Sequence, residues 1–192
     1  MRIIAGLAKG MPLAVPRAGV RPTADRIREA VFSSLGARLV GARVLDLFAG
    51  TGALGLEAAS RGAVSVLFVE NARGAVECLE RNLATFQRNR EVACAFSVAR
   101  SAVEAQLRKL ASAGETFSLI FADPPYGQEA QELLRDAGLP QLLAGDGLLV
   151  IESAKRDALA VIPPWESVRE AIYGDTRVDF LRREPASTNS DG

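Results

Sequence analysis

The sequence predicts an α/β fold with a doubly wound, mostly parallel sheet of seven strands that ends in an antiparallel hairpin. From Arg43 to about residue 152, short apolar runs alternate with segments of helical periodicity. This alternation is typical of parallel strands joined by crossover helices. After it, two strand-like segments are separated only by Gly174-Asp175-Thr176, a hairpin signal that makes the last two strands antiparallel.

The first 36 residues precede this alternation and predict a small extension. Segments 2–6 and 12–16 are strand-like and are joined by a turn that carries Lys9. Thr23 is a suitable N-cap, and apolar residues then recur at helical spacing until Gly36. We therefore predict a β-ribbon and a helix over residues 1–36, outside the main sheet.

The main domain is expected to cover residues 37–184. Its predicted strands are 43–48, 64–69, 92–98, 117–122, 148–152, 168–173 and 177–181. Its predicted helices are 53–61, about 72–88, about 101–112 and about 128–143. Right-handed crossovers bring the carboxyl ends of the parallel strands to one edge, where such sheets bind ligands. Segment 185–192 is polar without an apolar anchor, so we expect a disordered tail.

Composition excludes several classes of function. The chain of 192 residues contains no histidine and two cysteines, Cys78 and Cys94, which are expected to be reduced core thiols. Without histidine, a Ser-His-Asp triad and a histidine-ligated zinc are impossible, and we expect no metal site. There is no apolar run of membrane-spanning length and no signal-like leader. We therefore expect a cytoplasmic protein with no membrane partner.

Positive charge is concentrated near the N-terminus. The chain has 23 basic and 23 acidic residues, but residues 1–28 contain six basic residues and one acidic residue. This asymmetry favours a polyanionic partner for the N-terminal segment, although an ordinary solvated helix face would also explain the arginines of the predicted helix. The six basic residues are Arg2, Lys9, Arg17, Arg21, Arg26 and Arg28.

The first strand of the main domain runs directly into a glycine-rich turn and a helix, which predicts a ligand site. Gly50, Gly52 and Gly55 satisfy the G-x-G-x-x-G pattern of dinucleotide-binding turns. Asp46 lies inside the strand, where its carboxylate would repel a pyrophosphate but would suit a cationic group. Glu70 ends the next strand, twenty positions after Gly50, the spacing at which an acid binds ribose hydroxyls. A ligand with a ribose and an ammonium group fits better than a dinucleotide.

This turn resembles the first motif of class I S-adenosylmethionine-dependent methyltransferases, in which an acid-x-x-x-Gly-x-Gly turn is followed by an acid at the end of the second strand. The resemblance implies S-adenosyl-L-methionine as cofactor. Many related enzymes carry an acid for the cofactor adenine after the third strand, and here Ser101 stands at that position. The implied cofactor contacts are Asp46, Phe48, Ala49, Gly50, Thr51, Gly52, Glu70, Asn71, Ser101 and Ala102.

The fourth predicted strand ends in Asp123-Pro124-Pro125-Tyr126, beside the glycine turn in a doubly wound sheet. The prolines lack backbone donors, so the Asp123 carboxylate and the Pro124 carbonyl remain as acceptors. They match the two N–H donors of an exocyclic base amine and would orient its lone pair toward the methyl group, while Tyr126 would stack on the base. A cytosine C5 methyltransferase would need a cysteine in this loop, which has none.

Five segments together resemble the RsmD-type 16S rRNA (guanine-N2)-methyltransferases, over nearly the whole chain. They are 2–6, 21–32, 46–58, 60–63 and 123–126. The resemblance implies methylation of a guanine N2 in 16S rRNA, presented by the small ribosomal subunit or an assembly intermediate, by a monomeric enzyme. It also implies catalysis by Asp123, Pro124, Pro125 and Tyr126, and phosphate contacts from the six N-terminal basic residues.

Other functions remain open at this point. An acid followed by Pro-Pro-Tyr would also serve an N6-adenine methyltransferase on RNA or DNA, or a methyltransferase of protein glutamine amides. The glycine pattern alone would fit an NAD-binding oxidoreductase, against which Asp46 and the loop after the fourth strand argue. A non-catalytic RNA-binding factor with the same fold is the remaining alternative.

Overall fold

A computed structural model describes residues 1–15, 23–125, 127–157 and 159–184, and its centre is a seven-stranded sheet. In chain order the strands are β1 (Arg43–Leu47), β2 (Ser65–Glu70), β3 (Ala95–Arg100), β4 (Phe117–Ala122), β5 (Leu143–Ala154), β6 (Trp165–Tyr173) and β7 (Thr176–Arg183). The helices are α1 (Thr23–Leu35), which continues into a 3₁₀ turn (Gly36–Leu39), α2 (Ala53–Ser60), α3 (Arg73–Phe86), α4 (Val103–Ser112), α5 (Gly127–Arg135) and α6 (Leu139–Leu142).

The strand order across the sheet is β3-β2-β1-β4-β5-β7-β6. Strands β1 to β5 pair in parallel, whereas β7 lies antiparallel between β5 and β6. The predicted mostly parallel sheet with an antiparallel hairpin at its end is therefore confirmed. The chain winds outward from β1 in both directions, through β2 on one side and β4 on the other, which makes the carboxyl ends of β1 and β4 the expected ligand site.

Two apolar clusters cover the two faces of the sheet. Successive side chains of a strand point to opposite faces, so β1 places Val44 in one cluster and Leu45 and Leu47 in the other. The first cluster includes residues of α1, α2 and α3, and the second includes residues of α4, α5 and α6. No helix within the described ranges is both long enough and apolar enough to cross a membrane.

The predicted N-terminal ribbon is reduced to one isolated bridge, between Arg2 and Pro12. Residues 1–3 and 10–13 do exchange backbone hydrogen bonds, but the pairing stops there because the N–H groups of Ile4, Ala5, Leu7 and Ala8 bond to α2. Ile4 and Ala5 donate their N–H groups to the carboxylate of Glu57, at 2.7 and 3.0 Å. Further along, other residues of the segment bond to Ser60, and Ile3 and Leu13 are buried in the first cluster with the sheet.

The other predicted elements agree with the structure to within three residues at each end, with two exceptions. The predicted helix 128–143 is two helices, because the chain turns after α5 where the side chain of Asp136 accepts the N–H groups of Gly138 and Leu139. Strand β5 begins at Leu143 rather than at 148. Its first residues escaped prediction because two glycines interrupt their apolar pattern, at the place where the register against β4 shifts. The predicted tail, 185–192, lies outside the described residues.

Candidate active site

Asp46 lies beneath the glycine turn. Its side chain is 1% exposed, and its Oδ2 accepts the N–H of Gly55 at 2.9 Å, which holds the start of α2 against β1. Burial and the nearby carboxylates of Asp123 and Glu70 raise the pKa of Asp46 to about 8, although the Gly55 hydrogen bond opposes the shift. Asp46 thus positions the turn. Its contact with a ligand ammonium stays a prediction.

The three glycines of the turn have different roles. Gly50 needs glycine for its φ of 54°, but a Cβ there would meet no atom closer than 3.9 Å, so its surface is open. A Cβ on Gly52 would lie 2.3 Å from Cδ1 of Leu79, and one on Gly55 would lie 2.3 Å from Cε1 of Phe68. The second and third glycines therefore permit close packing of α2, and only the first leaves open space beside its backbone for a ligand.

Glu70 joins the turn to the start of α3. One carboxylate oxygen accepts the N–H of Gly50 at 2.8 Å, and the other accepts those of Asn71 and Ala72 at 2.9 and 2.8 Å. An ionised carboxylate has about four acceptor positions, so about one stays free for a hydroxyl. The predicted ribose contact is compatible with this geometry and stays a prediction.

A cleft of about 530 Å³, here called the first cleft, opens between the ends of β2 and β4 and the start of α4. Four of the ten predicted cofactor residues line it, namely Phe48, Glu70, Asn71 and Ser101. Asp46, Ala49, Gly50, Thr51, Gly52 and Ala102 do not, and the first five of these form or support the turn beside it. The remaining lining residues are Val69, Ala72, Ala75, Val103, Glu104, Asp123, Pro125, Glu129 and Glu132.

Glu104 is a lining residue that sequence reasoning missed. It is exposed in the first turn of α4, three residues after Ser101. The search for an acid after the third strand stopped at Ser101, although an acid one helical turn further lines the same cleft. The helical periodicity of this segment was a signal that could have identified it.

Asp123 and Pro125 line the first cleft and also a second cleft of about 880 Å³. Asp123 is exposed at the mouth of both, yet protein surrounds it on most sides, and this desolvation raises the pKa of Asp123 to about 6. Pro124 is buried and also lines the second cleft, and Tyr126 lies outside the described residues. The structure thus places the Asp-Pro-Pro loop between two openings.

The second cleft contains Glu152, a second acid that sequence reasoning assigned no role. Burial, followed by the charge of Asp123, raises the pKa of Glu152 to about 8, and Arg28 acts in the opposite direction. Glu152 comes near the carboxyl end of β5, so its position in the strand resembles that of Glu70 in β2. The other lining residues are Ser153, Ala154, Lys155, Arg156, Asp157, Asp175 and Thr176.

The N-terminal basic residues divide into exposed and buried groups. Arg2, Lys9 and Arg26 are exposed and line one shallow depression on the N-terminal extension. Arg17 and Arg21 lie outside the described residues. For these five residues, phosphate contact stays a prediction.

The prediction that Arg28 contacts phosphate is wrong, because this residue is 3% exposed on the packed face of α1. Its Nη2 donates to the carbonyl of Arg2 and to the carboxylate of Asp25, and its Nε lies 3.9 Å from the carboxylate of Glu57. Burial lowers the pKa of Arg28, although Asp25 and Glu57 oppose this shift. Arg28 therefore connects the N-terminal extension to α2.

Comparison with known proteins gives consistent matches over almost the whole chain. The sequence model of the family described as Conserved hypothetical protein 95 matches residues 1–182. The Ribosomal RNA small subunit methyltransferase D of Escherichia coli K12 is 36% identical over 96% of this chain and 90% of that protein. The Putative rRNA methyltransferase YlbH of Bacillus subtilis is 35% identical over 95% of this chain and 99% of that protein.

Among solved structures, the putative methyltransferase yhhF from Escherichia coli superposes with a TM-score of 0.79 at 36% identity, covering 96% of this chain and 98% of that one. Both the sequence matches and this superposition extend from the N-terminal extension through the antiparallel hairpin. The chain therefore belongs to the family described as Conserved hypothetical protein 95, the RsmD family.

Proposed function

We propose that this protein transfers a methyl group from S-adenosyl-L-methionine to the exocyclic N2 amine of a guanine in 16S rRNA. The observation that carries this proposal is the position of Asp123, which lines both the first and the second cleft at the carboxyl ends of β1 and β4. One opening then receives the methyl donor and the other receives the base. The reaction takes place between them, at the Asp-Pro-Pro-Tyr loop.

The chemistry of the first cleft fits S-adenosylmethionine better than a dinucleotide. Five of its lining residues are acidic and, among the described residues that line it, none is basic. Such a surface suits a sulfonium and an ammonium group but opposes a pyrophosphate. In this proposal Glu70 accepts a ribose hydroxyl, Phe48 contacts the adenine or the ribose, and Glu104 accepts the adenine amine. The NAD-binding alternative has no comparable support.

S-adenosylmethionine, when bound, supplies an electrophilic methyl group on its sulfonium. The Asp123 carboxylate accepts a hydrogen bond from the guanine amine and directs the nitrogen lone pair along the line of attack. As the N–C bond forms, the S–C bond breaks and its electron pair stays on sulfur. The amine then loses one proton, which Asp123 accepts and passes to water. A pKa of about 6 leaves Asp123 mostly ionised at neutral pH, as this role requires.

Two groups of cations support an RNA acceptor. Arg2, Lys9 and Arg26 are exposed on the N-terminal extension, and Lys155 and Arg156 are exposed at the second cleft. These residues contact phosphates while the base enters the second cleft, and Tyr126 stacks on it. The names of the relatives in Escherichia coli and Bacillus subtilis support rRNA as the substrate class. We propose that the monomer acts on the small ribosomal subunit or an assembly intermediate.

The test is transfer of a radiolabelled methyl group to small ribosomal subunits that lack the modification, with naked rRNA and DNA as parallel acceptors. Digestion to nucleosides then identifies the modified atom. We expect N2-methylguanosine from the wild type and none from Asp123→Ala. The matched control is Asp146→Asn, because Asp146 is exposed and lines neither of the two clefts at this edge.

Label recovered in N6-methyladenosine would be compatible with the role of Asp123 but would identify adenine rather than guanine as the substrate. Unchanged methylation by Asp123→Ala would contradict the mechanism. Absence of label on every acceptor would favour a non-catalytic RNA-binding factor or a protein substrate.

A further inference from the structure

Glu152 and Asp123 lie side by side at the ends of two adjacent strands. Strands β4 and β5 pair in parallel, with Ala122 opposite Ile151. Asp123 and Glu152 directly follow this pair in their two segments. Their backbones are about 5 Å apart, because neighbouring strands have that spacing. Laterally adjacent residues of a parallel sheet project toward the same face, and both of these acids line the second cleft. The cleft thus contains a pair of neighbouring carboxyl groups.

Neither carboxyl group has a hydrogen-bond partner among the residues that the structure describes. Within the described part of the chain, no hydrogen bond contributes to the pKa of Asp123 or of Glu152, and the shifts come from burial and charge alone. The hydroxyl of the neighbouring residue, Ser153, is buried and likewise lacks a partner among the described residues. A buried polar group without a partner is costly to the fold, and two neighbouring carboxyl groups of raised pKa in a cleft are typical of functional sites, so a ligand is the simplest reason for this arrangement.

The raised pKa values indicate how many protons the pair carries. Asp123 has a pKa of about 6 and Glu152 one of about 8, and each disfavours ionisation of the other. The pair therefore retains a proton to higher pH than two separate carboxyl groups would, because burial and mutual repulsion disfavour the doubly ionised state. An ionised Asp123 is an acceptor, and a protonated Glu152 offers an acceptor and a donor side by side. The other charged groups of the cleft are Lys155, Arg156, Asp157 and Asp175.

The Watson–Crick edge of guanine presents the complementary sequence of groups. Its N2 amine and its N1–H are adjacent donors, and O6 is the acceptor beyond them. We infer that Glu152 determines specificity for guanine by accepting the N1–H, with O6 as its second partner, while Asp123 holds the reacting N2 amine. This inference rests on the proposed function and names how the same site selects its base. Adenine bound through its N6 amine has no N1–H and no O6, so it would form fewer hydrogen bonds with Glu152.

The test compares guanine with 2-aminopurine at the target nucleotide. 2-Aminopurine keeps the amine on C2 but lacks both the N1–H and O6. Small subunits are reconstituted with a synthetic RNA segment that carries either base, and methyl transfer to each is measured as kcat/KM. The readout is the guanine preference, defined as kcat/KM for guanine divided by kcat/KM for 2-aminopurine. Comparing this ratio between variants removes the intrinsic difference in reactivity between the two amines.

We expect Glu152→Ala to reduce the guanine preference about 10- to 100-fold, the effect of losing hydrogen bonds at a buried polar site. Glu152→Gln should keep the wild-type preference to within about threefold, because its amide reproduces the acceptor and donor of a protonated carboxyl. Glu152→Met removes the polar atoms but keeps the length, and repeats the test if the alanine variant fails to fold. Glu91→Ala is the matched control, because Glu91 is exposed and lies far from the loop along the chain.

Binding of S-adenosylhomocysteine to each variant, measured by calorimetry, checks that the fold and the first cleft are intact. A wild type that forms no N2-methylguanosine would overturn the proposed function and this inference with it. A wild type that forms it, together with alanine and methionine variants that keep the wild-type guanine preference, would overturn the inference alone. A glutamine variant that loses as much preference as the alanine variant would also overturn the hydrogen-bond pattern assigned to Glu152.

Discussion

Replacing Asp46 by asparagine should make the protein more stable at neutral pH. Burial raises the pKa of Asp46 from 3.8 to about 8, so between these values the folded protein binds a proton that the unfolded chain releases. The contribution of Asp46 to the free energy of unfolding is therefore fully present below pH 3.8 and is lost as the pH rises toward 8. Asparagine does not titrate, and its side-chain oxygen can still accept the N–H of Gly55.

The magnitude follows from the width of this pH window. Each pH unit within it costs about 1 kcal/mol of stability, so between pH 5 and pH 7 the wild type should lose about 2 to 3 kcal/mol relative to Asp46→Asn. Asp46 is 1% exposed, so solvent screening does not reduce the effect. The comparison between variants also removes the contribution of Glu152, whose raised pKa acts in the same direction in both proteins.

Urea unfolding at pH 5, 6 and 7 measures this difference directly. The expected result is that the free energy of unfolding of the variant exceeds that of the wild type by a margin that grows with pH. Asp146→Asn, at an exposed site, should show no such trend. Parallel pH dependences for the wild type and Asp46→Asn would refute the reasoning, because they would mean that Asp46 is ionised at the same pH in the folded and unfolded states.

Three further outcomes can be tested separately. Gly55→Ala should destabilise the fold by about 1 to 3 kcal/mol in thermal unfolding, because overpacking against Phe68 outweighs the better helix propensity of alanine, and a neutral result would contradict the packing role. Glu57→Ala should cost about 3 to 5 kcal/mol and increase proteolysis within residues 1–15, because it removes the acceptor of the Ile4 and Ala5 N–H groups and one of the two carboxylates near buried Arg28. Unchanged proteolysis would argue against this anchoring. Lys9→Gln combined with Arg26→Gln should lower the salt dependence of RNA binding by about two units of slope, and an unchanged slope would exclude these phosphate contacts.

The sequence was sufficient to predict the sheet because each signal was local and repeated. The apolar strands, the glycine turn and the hairpin at Gly174-Asp175-Thr176 each specify one element, and the alternation specifies their parallel arrangement. The same local rules predicted the positions of Asp123 and Glu70 at the site, because the carboxyl ends of parallel strands share an edge.

Sequence reasoning failed where a residue's role depends on what packs against it. Arg28 has the same side chain as Arg26, two positions away, but one faces the core and the other faces solvent. The N-terminal ribbon is shorter than predicted for the same reason, because the N–H groups of Ile4 and Ala5 bond to Glu57, more than fifty residues distant. The sequence predicted Glu152 as the last residue of a strand. Its proximity to Asp123 depends on the register of β4 against β5, which no local pattern specifies.

If the proposed function holds, the separation of charge explains how an acidic site would act on a polyanion. The chain has no net charge, and its exposed N-terminal cations lie outside the clefts, whereas the first cleft is lined by five acids. Phosphates are attracted to the cations and repelled by the acids, so the RNA backbone stays at the surface. A base has no formal charge and presents N–H donors, so in the proposed function it would leave the backbone and bind the carboxyl groups of Asp123 and Glu152, while Lys155 and Arg156 at the same cleft would contact phosphates. The acids of the first cleft would therefore exclude phosphate, and in the proposed function Asp123 would also supply the acceptor that the amine needs.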